Sequence, residues 1–97
     1  MNMQNLMAQA QRMQRDIMKK KEEVEKKEFT GKSELVTVTV NGKKDLVKVE
    51  FAKEVARDDL EALQDMIVIA TNNANKEVDA AMEAAMGQYG SMFNGLF

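Results

Sequence analysis

The sequence predicts an α+β fold with a long helix at each end and a small antiparallel sheet between them. Apolar residues recur every three or four positions over residues 2–28 and again over residues 58–86, which is the period of an amphipathic helix. Within residues 28–53, apolar and polar residues alternate, which is the period of a strand. We therefore expect a single domain spanning residues 1–97, in which a glycine-rich tail at residues 87–97 follows the second helix.

The first predicted helix has an apolar seam whose members recur at alternating steps of three and four. No Gly or Pro interrupts the segment, and pairs such as Glu22 and Lys26, four residues apart, favour a helix. Because the seam is rich in Met and interrupted by Lys20, we expect it to pack against a sheet or a partner helix rather than form a free-standing coiled coil. The members of the seam are Met3, Leu6, Ala10, Met13, Ile17 and Val24.

The predicted sheet is centred on a hairpin. Asn41-Gly42 follows a valine-rich strand, and both residues tolerate the positive φ that a two-residue hairpin turn requires. A short first strand is expected within residues 28–32, with Gly31 at its end. An even-numbered hairpin loop would place the apolar residues of both main strands on one face. These residues are Val36, Val38, Val40, Val47, Val49 and Phe51.

The second predicted helix begins with acidic residues, which the helix dipole favours. Asp58 occupies the expected N-cap position, and Glu61 completes a capping-box pattern. Asn72 and Asn73 are unusual in the middle of a helix, so each is expected to be exposed or to bond to the sheet or a partner. The expected buried stripe consists of Leu60, Leu63, Ile67, Ala70, Ala74, Val78, Ala81 and Ala85.

Composition argues against an enzyme. The 97 residues include no His and no Cys, so the commonest proton-transfer group and the usual transition-metal ligands are absent. We therefore predict no catalytic residues, no bound metal, no cofactor and no small-molecule substrate. The longest apolar run, residues 66–70, is too short to span a membrane, and no secretory signal pattern is present. We expect a cytoplasmic protein with no membrane partner.

Charge is distributed unevenly along the chain. Residues 1–21 contain five Lys and Arg against one Asp, a net of +4, whereas residues 54–97 have a net of −6. In the first helix, steps of three and four align three cations on one outer face, the basic ridge: Arg12, Arg15 and Lys19. The candidate polyanion-binding residues are Arg12, Arg15, Lys19, Lys20, Lys21, Lys43 and Lys44.

Each basic group has a simpler structural explanation. The cations of the first helix could form a solvated face laced with ion pairs. Lys43 and Lys44, at the expected hairpin tip, could simply prevent strands from different molecules from pairing. No zinc finger, helix-turn-helix or aromatic RNA-binding surface is recognisable, so any nucleic-acid contact is expected to be made mainly to the backbone.

Several strings resemble the YbaB/EbfC family of bacterial nucleoid-associated proteins. The most specific is NLMAQAQRMQ at residues 5–14, and Thr30-Gly31, the Asn41-Gly42 hairpin and the Gly-Leu-Phe ending are also similar. The similarity extends over nearly the whole chain. It implies an intertwined homodimer of α–β–β–β–α protomers that binds duplex DNA and helps to organise the nucleoid.

Two functions therefore stand as hypotheses. The leading one is a homodimeric, nucleoid-associated protein that binds duplex DNA with low sequence specificity, mainly through phosphate contacts. The alternative is a protein–protein adaptor or helical scaffold with no role in nucleic-acid binding. In both, the apolar surface exceeds what one short chain can cover, so we expect a dimer. The expected interface residues are Met3, Leu6, Met13, Ile17 and Val38.

Overall fold

The computed structural model describes residues 2–52 and 54–87 and has the predicted α+β fold. The three strands form one antiparallel sheet in the order β1-β2-β3. Of the predicted tail at residues 87–97, all but Gly87 lies outside the described residues. The elements are α1 (Met3–Glu25), β1 (Glu28–Ser33), β2 (Val36–Asn41), β3 (Leu46–Phe51), a 3-10 turn (Arg57–Asp59) and α2 (Leu60–Ala85).

Both helices are slightly shorter than predicted. The N-terminus of α1 is capped by Asn2, whose side chain accepts a 2.8 Å hydrogen bond from the backbone N–H of Asn5. At the other end, α1 stops at Glu25 because the chain enters β1 at Glu28. The predicted cap of the second helix is wrong. The 3-10 turn precedes α2, and the Asp59 carboxylate accepts a 3.0 Å hydrogen bond from the N–H of Ala56.

The strand β1 is longer than expected, and Gly31 lies within it rather than at its end. It has six residues, as β2 does, and each of them pairs with a residue of β2. Gly31 is buried beneath α2, and a Cβ atom there would collide with the carbonyl oxygen of Ala70 and the amide nitrogen of Ala74. Because Ala70 and Ala74 are also fully buried, the helix backbone rests directly on the strand. Glycine permits this approach because it has no Cβ.

The hairpin turn is not the predicted two-residue turn. The N–H of Lys44 bonds to the carbonyl of Asn41 at 2.9 Å, and Lys44, with φ 67°, is the residue in the left-handed region. The Asn41 side chain accepts bonds from the N–H groups of Lys43 and Asp45, at 2.8 and 3.1 Å. Gly42 does not have positive φ. It is needed for space, because a Cβ there would collide with the carbonyl oxygen of Val24 in α1.

The core lies between α2 and one face of the sheet. A register shift next to Val40 pairs this residue with Leu46, so the expected place of Val47 is taken by Leu46. The predicted buried stripe of α2 is confirmed at its centre. It is wrong at Leu60, whose side chain is 57% exposed. Asn73 donates a 3.2 Å hydrogen bond to the carbonyl of Lys32 in β1. The core residues are Val36, Val38, Val40, Leu63, Ala70, Ala74 and Val78.

Replacing Gly31 by Ala tests the close contact between α2 and β1. The added methyl group must push the helix off the strand, so we expect a loss of about 2 kcal/mol or more in unfolding free energy. Urea denaturation measures this loss as a lower midpoint. Gly87→Ala is the matched control, because a Cβ at Gly87 would have no neighbour within 4 Å among residues 2–52 and 54–87. Equal midpoints for the two variants would contradict the argument.

Candidate nucleic-acid interface

The basic ridge of α1 is exposed and faces away from the apolar seam. At about 100° per residue, Arg12, Arg15 and Lys19 lie on the side of the helix opposite Leu6, Met13 and Ile17. All three cations of the ridge are exposed. The Nε of Arg15 donates a long hydrogen bond, 3.5 Å, to the carbonyl of Gln11 in the preceding turn. The guanidinium and ammonium groups of the ridge can therefore reach an external anion without disturbing the fold.

The two lysines that follow the ridge are placed differently. Lys20 forms an ion pair with Asp16 at 3.4 Å, on the flank between the ridge and the seam. Lys21 is exposed, but its helical position is close to that of Met3 and Ala10, on the seam side. The structure thus brings Arg12, Arg15 and Lys19 together on one face and does not align Lys20 and Lys21 with them.

The hairpin lysines lie beside the C-terminal end of α1. Gly42 contacts the backbone of Val24, and Lys43 and Lys44 directly follow Gly42. From Lys19 to Val24 the helix rises about 7.5 Å, so the ridge and the hairpin are neighbours along the axis of α1. Lys43 is exposed, whereas Lys44 forms a 2.7 Å ion pair with Asp79 of α2. The hairpin lysines and the end of the ridge therefore lie near one junction of α1 with the hairpin, but on different sides of α1, because Val24 belongs to the seam.

Four of the eight acidic residues within residues 54–97 lie far from this junction. The hairpin touches α2 at Asp79 and α1 at Val24, so the three elements meet near the end of α2. Residue 61 is 18 positions before Asp79, which corresponds to about 27 Å along the helix. That separation exceeds the screening length of about 8 Å at physiological salt. The acids at the start of α2, Asp58, Asp59, Glu61 and Asp65, are therefore largely screened from the hairpin lysines at physiological salt.

The expected interface residues of α1 are uncovered, but Val38 is not. Met3 and Leu6 are 75% and 44% exposed, and Met13 and Ile17 are half-buried. Val38 is completely buried in the single chain and belongs to its core, because its face of the sheet is covered by the chain's own helix. The interface role of these residues stays a prediction.

Two other kinds of feature, a metal site and a membrane-spanning helix, are not found among the described residues. Within residues 2–52 and 54–87, no cluster of three or more carboxylates is arranged to hold a metal ion. Neither α1 nor α2 contains an apolar stretch that could serve as a membrane span. The predicted absence of a cofactor remains a prediction.

Comparison with known proteins decides the family. The model of the YbaB/EbfC DNA-binding family matches residues 1–93. The chain belongs to the YbaB/EbfC DNA-binding family. This confirms the resemblance seen in the sequence, and the family's description is that of a DNA-binding protein rather than an enzyme, as predicted from composition.

Related proteins extend over the same length. A nucleoid-associated protein of Streptococcus agalactiae is 44% identical over 92 residues, covering 92% of this chain and 93% of its own. One from Lachnoclostridium phytofermentans is also 44% identical, covering 99% of this chain and 88% of its own. The crystal structure of an uncharacterized Helicobacter pylori protein superposes with a TM-score of 0.68 at 24% identity, over 100% of this chain and 99% of its own. That likeness concerns the fold.

Replacing Asp79 by Asn tests the effect of its ion pair with Lys44 on stability and on DNA affinity. Both side chains are at least 45% exposed, so Asp79→Asn should change the unfolding free energy by less than about 1 kcal/mol. The same change removes a negative charge beside the basic junction and releases the Lys44 ammonium. DNA affinity, measured by fluorescence anisotropy, should therefore rise. Glu61→Gln, the same change of charge at the distant end of α2, is the control and should have little effect.

Proposed function

We propose that this protein is a homodimer that binds duplex DNA through the basic ridge of α1, mainly at phosphates and with low sequence specificity. The observation that carries the proposal is the placement of Arg12, Arg15 and Lys19 on an exposed helix face opposite the apolar seam. One face of α1 is then available to DNA and the other to a second copy. The proposed location is the nucleoid, within the cytoplasm, in keeping with the names of the relatives.

The dimensions of the ridge fit a phosphate backbone. Arg12 and Lys19 are seven residues apart, which corresponds to about 10 Å along the helix. A DNA strand carries a phosphate about every 3.4 Å of helix axis, so the ridge spans about three phosphates. Long cationic side chains on one outer face suit backbone contacts, which are made equally to any base sequence. Low sequence specificity follows from this kind of contact.

The shape of the single chain supports self-association. Its radius of gyration is 19.0 Å and its longest extent is 70 Å, whereas a compact domain of this length would have a radius of about 12.5 Å. The excess reflects α1, whose residues 3–12 are all exposed. The exposed part of the seam includes Met3 and Leu6, which water would solvate poorly. A second copy would cover the seam and give α1 a partner along its length.

Removing the ridge tests the proposed DNA contact. The variant Arg12→Ala/Arg15→Ala/Lys19→Ala should bind unrelated duplexes at least about tenfold more weakly, and the slope of affinity against salt should fall by up to about three. The reason is that DNA releases about one counterion for each phosphate contact that forms, so a variant with fewer contacts releases fewer counterions on binding. Fluorescence anisotropy titrations at several salt concentrations measure both quantities. The fold should be retained, because all three side chains are exposed.

A matched control separates the ridge from overall charge. Replacing Lys32, Arg57 and Lys76 by Ala also removes three positive charges, but from exposed positions outside α1. We expect that variant to lose much less affinity than the ridge variant. If both variants weaken binding equally, net charge rather than the ridge determines the affinity. If the ridge variant binds as the parent does, the ridge is a solvated face and the adaptor hypothesis gains support.

Ile17→Asp tests the proposed dimer. The substitution places a charge in the centre of the apolar seam, and desolvating it in an interface is costly. Sedimentation velocity should show dissociation, with an increase in the dissociation constant of at least about a hundredfold. Gln11→Asp adds the same charge at an exposed position away from the seam and should remain dimeric. A parent chain that sediments as a folded monomer at micromolar concentration would refute the proposed dimer.

A further inference from the structure

The outer face of α1 changes in chemistry along the helix. The later turns carry the cations of the ridge, whereas the first turns carry neutral amide side chains and a methyl group on the same side. At about 100° per residue, Gln4, Asn5 and Gln11 lie within about 75° of the middle of the ridge. Ala8 lies almost in line with it. All of residues 3–12 are exposed, so this face is open to a large ligand.

Acidic side chains do not oppose the approach of DNA to this part of the helix. Residues 2–15 contain no Asp or Glu, and the first acid of the chain, Asp16, is paired with Lys20 on the flank of the helix. The side chain of Asn2 caps the helix by accepting a bond from the backbone N–H of Asn5. That bond does not use the side-chain amide of Asn5, which points away from the helix backbone as the amides of the neighbouring turns can.

Amides and methyl groups are the side-chain groups that recognise an A·T base pair in the major groove. The amide of Gln or Asn can bond to both the N7 acceptor and the N6 donor of adenine, and the methyl group of Ala can contact the thymine methyl. A helix with its side chains is about 10–12 Å across and fits a major groove about 12 Å wide. Gln4 and Gln11 are seven residues apart, about 10 Å, which is the length of about three base pairs.

We propose that the first three turns of α1 enter the major groove and contact the bases of A·T-rich duplex DNA through Gln4, Asn5 and Gln11, with Ala8 against thymine methyl groups. The inference rests on the DNA binding put forward in the proposed function. The N-terminal residues of a helix contact bases in helix-turn-helix proteins, and here the turns that follow carry the ridge to the phosphates. Because phosphate contacts still supply most of the affinity, the preference for A·T pairs is modest, on the order of tenfold.

Duplexes with a modified base test which groove is read. Fluorescence anisotropy compares the affinity of the full chain for an A·T-rich and a G·C-rich duplex of equal length, and we expect the first to bind about tenfold more tightly. Replacing adenine by 7-deazaadenine removes the N7 acceptor from the major groove and leaves the minor groove unaltered. The preference should then largely disappear. An unchanged preference would overturn the proposal, because the protein would then be reading the minor groove or the shape of the DNA.

The variant Gln4→Ala/Asn5→Ala/Gln11→Ala tests the residues. It keeps every charge and also the helix cap, because the bond to Asn2 uses the backbone N–H of Asn5. We expect this variant to bind both duplexes about equally, with the salt slope of the parent, because its phosphate contacts are unchanged. Gln14→Ala is the matched control. Gln14 is exposed but lies on the side of α1 away from the ridge, so its replacement should leave the preference intact.

Two further results would count against base reading. One is a parent chain that binds the two duplexes equally, and the other is a triple amide variant that keeps the preference of the parent. Either result can be obtained while removal of the ridge still weakens binding to unrelated duplexes. Failure of base reading is therefore distinct from failure of the proposed function, which would appear as a ridge variant that binds DNA as the parent does.

Discussion

The rest of the structure depends on the direct contact between the backbones of α2 and β1. Gly31 removes the side chain that would otherwise hold the helix away, and Ala70 and Ala74 present only methyl groups on the facing side. This close approach sets the height of α2 above the sheet and closes the small valine core beneath it. A second glycine contact, between Gly42 and Val24, fixes the end of α1 against the hairpin. Two positions without a side chain therefore decide how both helices join the sheet.

The attachment of α1 explains how a chain with a net charge of −2 can offer a cationic surface. The helix meets the hairpin near its C-terminal end, at Val24, and its ridge is exposed. The hairpin lysines add positive charge at the point of attachment, although Lys44 is partly neutralised by Asp79. The acidic start of α2 lies at the other end of that helix. Its distance from the hairpin lysines exceeds the screening length at physiological salt. Separation of charge along an elongated molecule therefore gives this chain an exposed cationic face despite its net negative charge.

Surfaces left open by the single chain follow from the same arrangement. The core takes the centre of the stripe of α2 and the valines of β2, which leaves the seam of α1 and most of β3 without cover from the described residues. These two surfaces differ in chemistry: the seam is apolar and adaptable because of its Met residues, whereas β3 combines apolar residues with paired charges. The seam suits helix packing, and the strand suits backbone pairing.

The sequence alone determined the α+β order, the seam, the ridge and the family resemblance, because periodicity and short strings are local properties. It located the buried valines of β2 but not the helix that covers them, and it placed Val47 on the core face. Only the tertiary structure decided these points, since burial depends on which helix covers a face and register depends on a bulge beside Val40. The roles of Gly31 and Gly42 were also hidden. A close backbone approach leaves no trace in the sequence beyond the glycine itself, and a glycine serves a turn equally well.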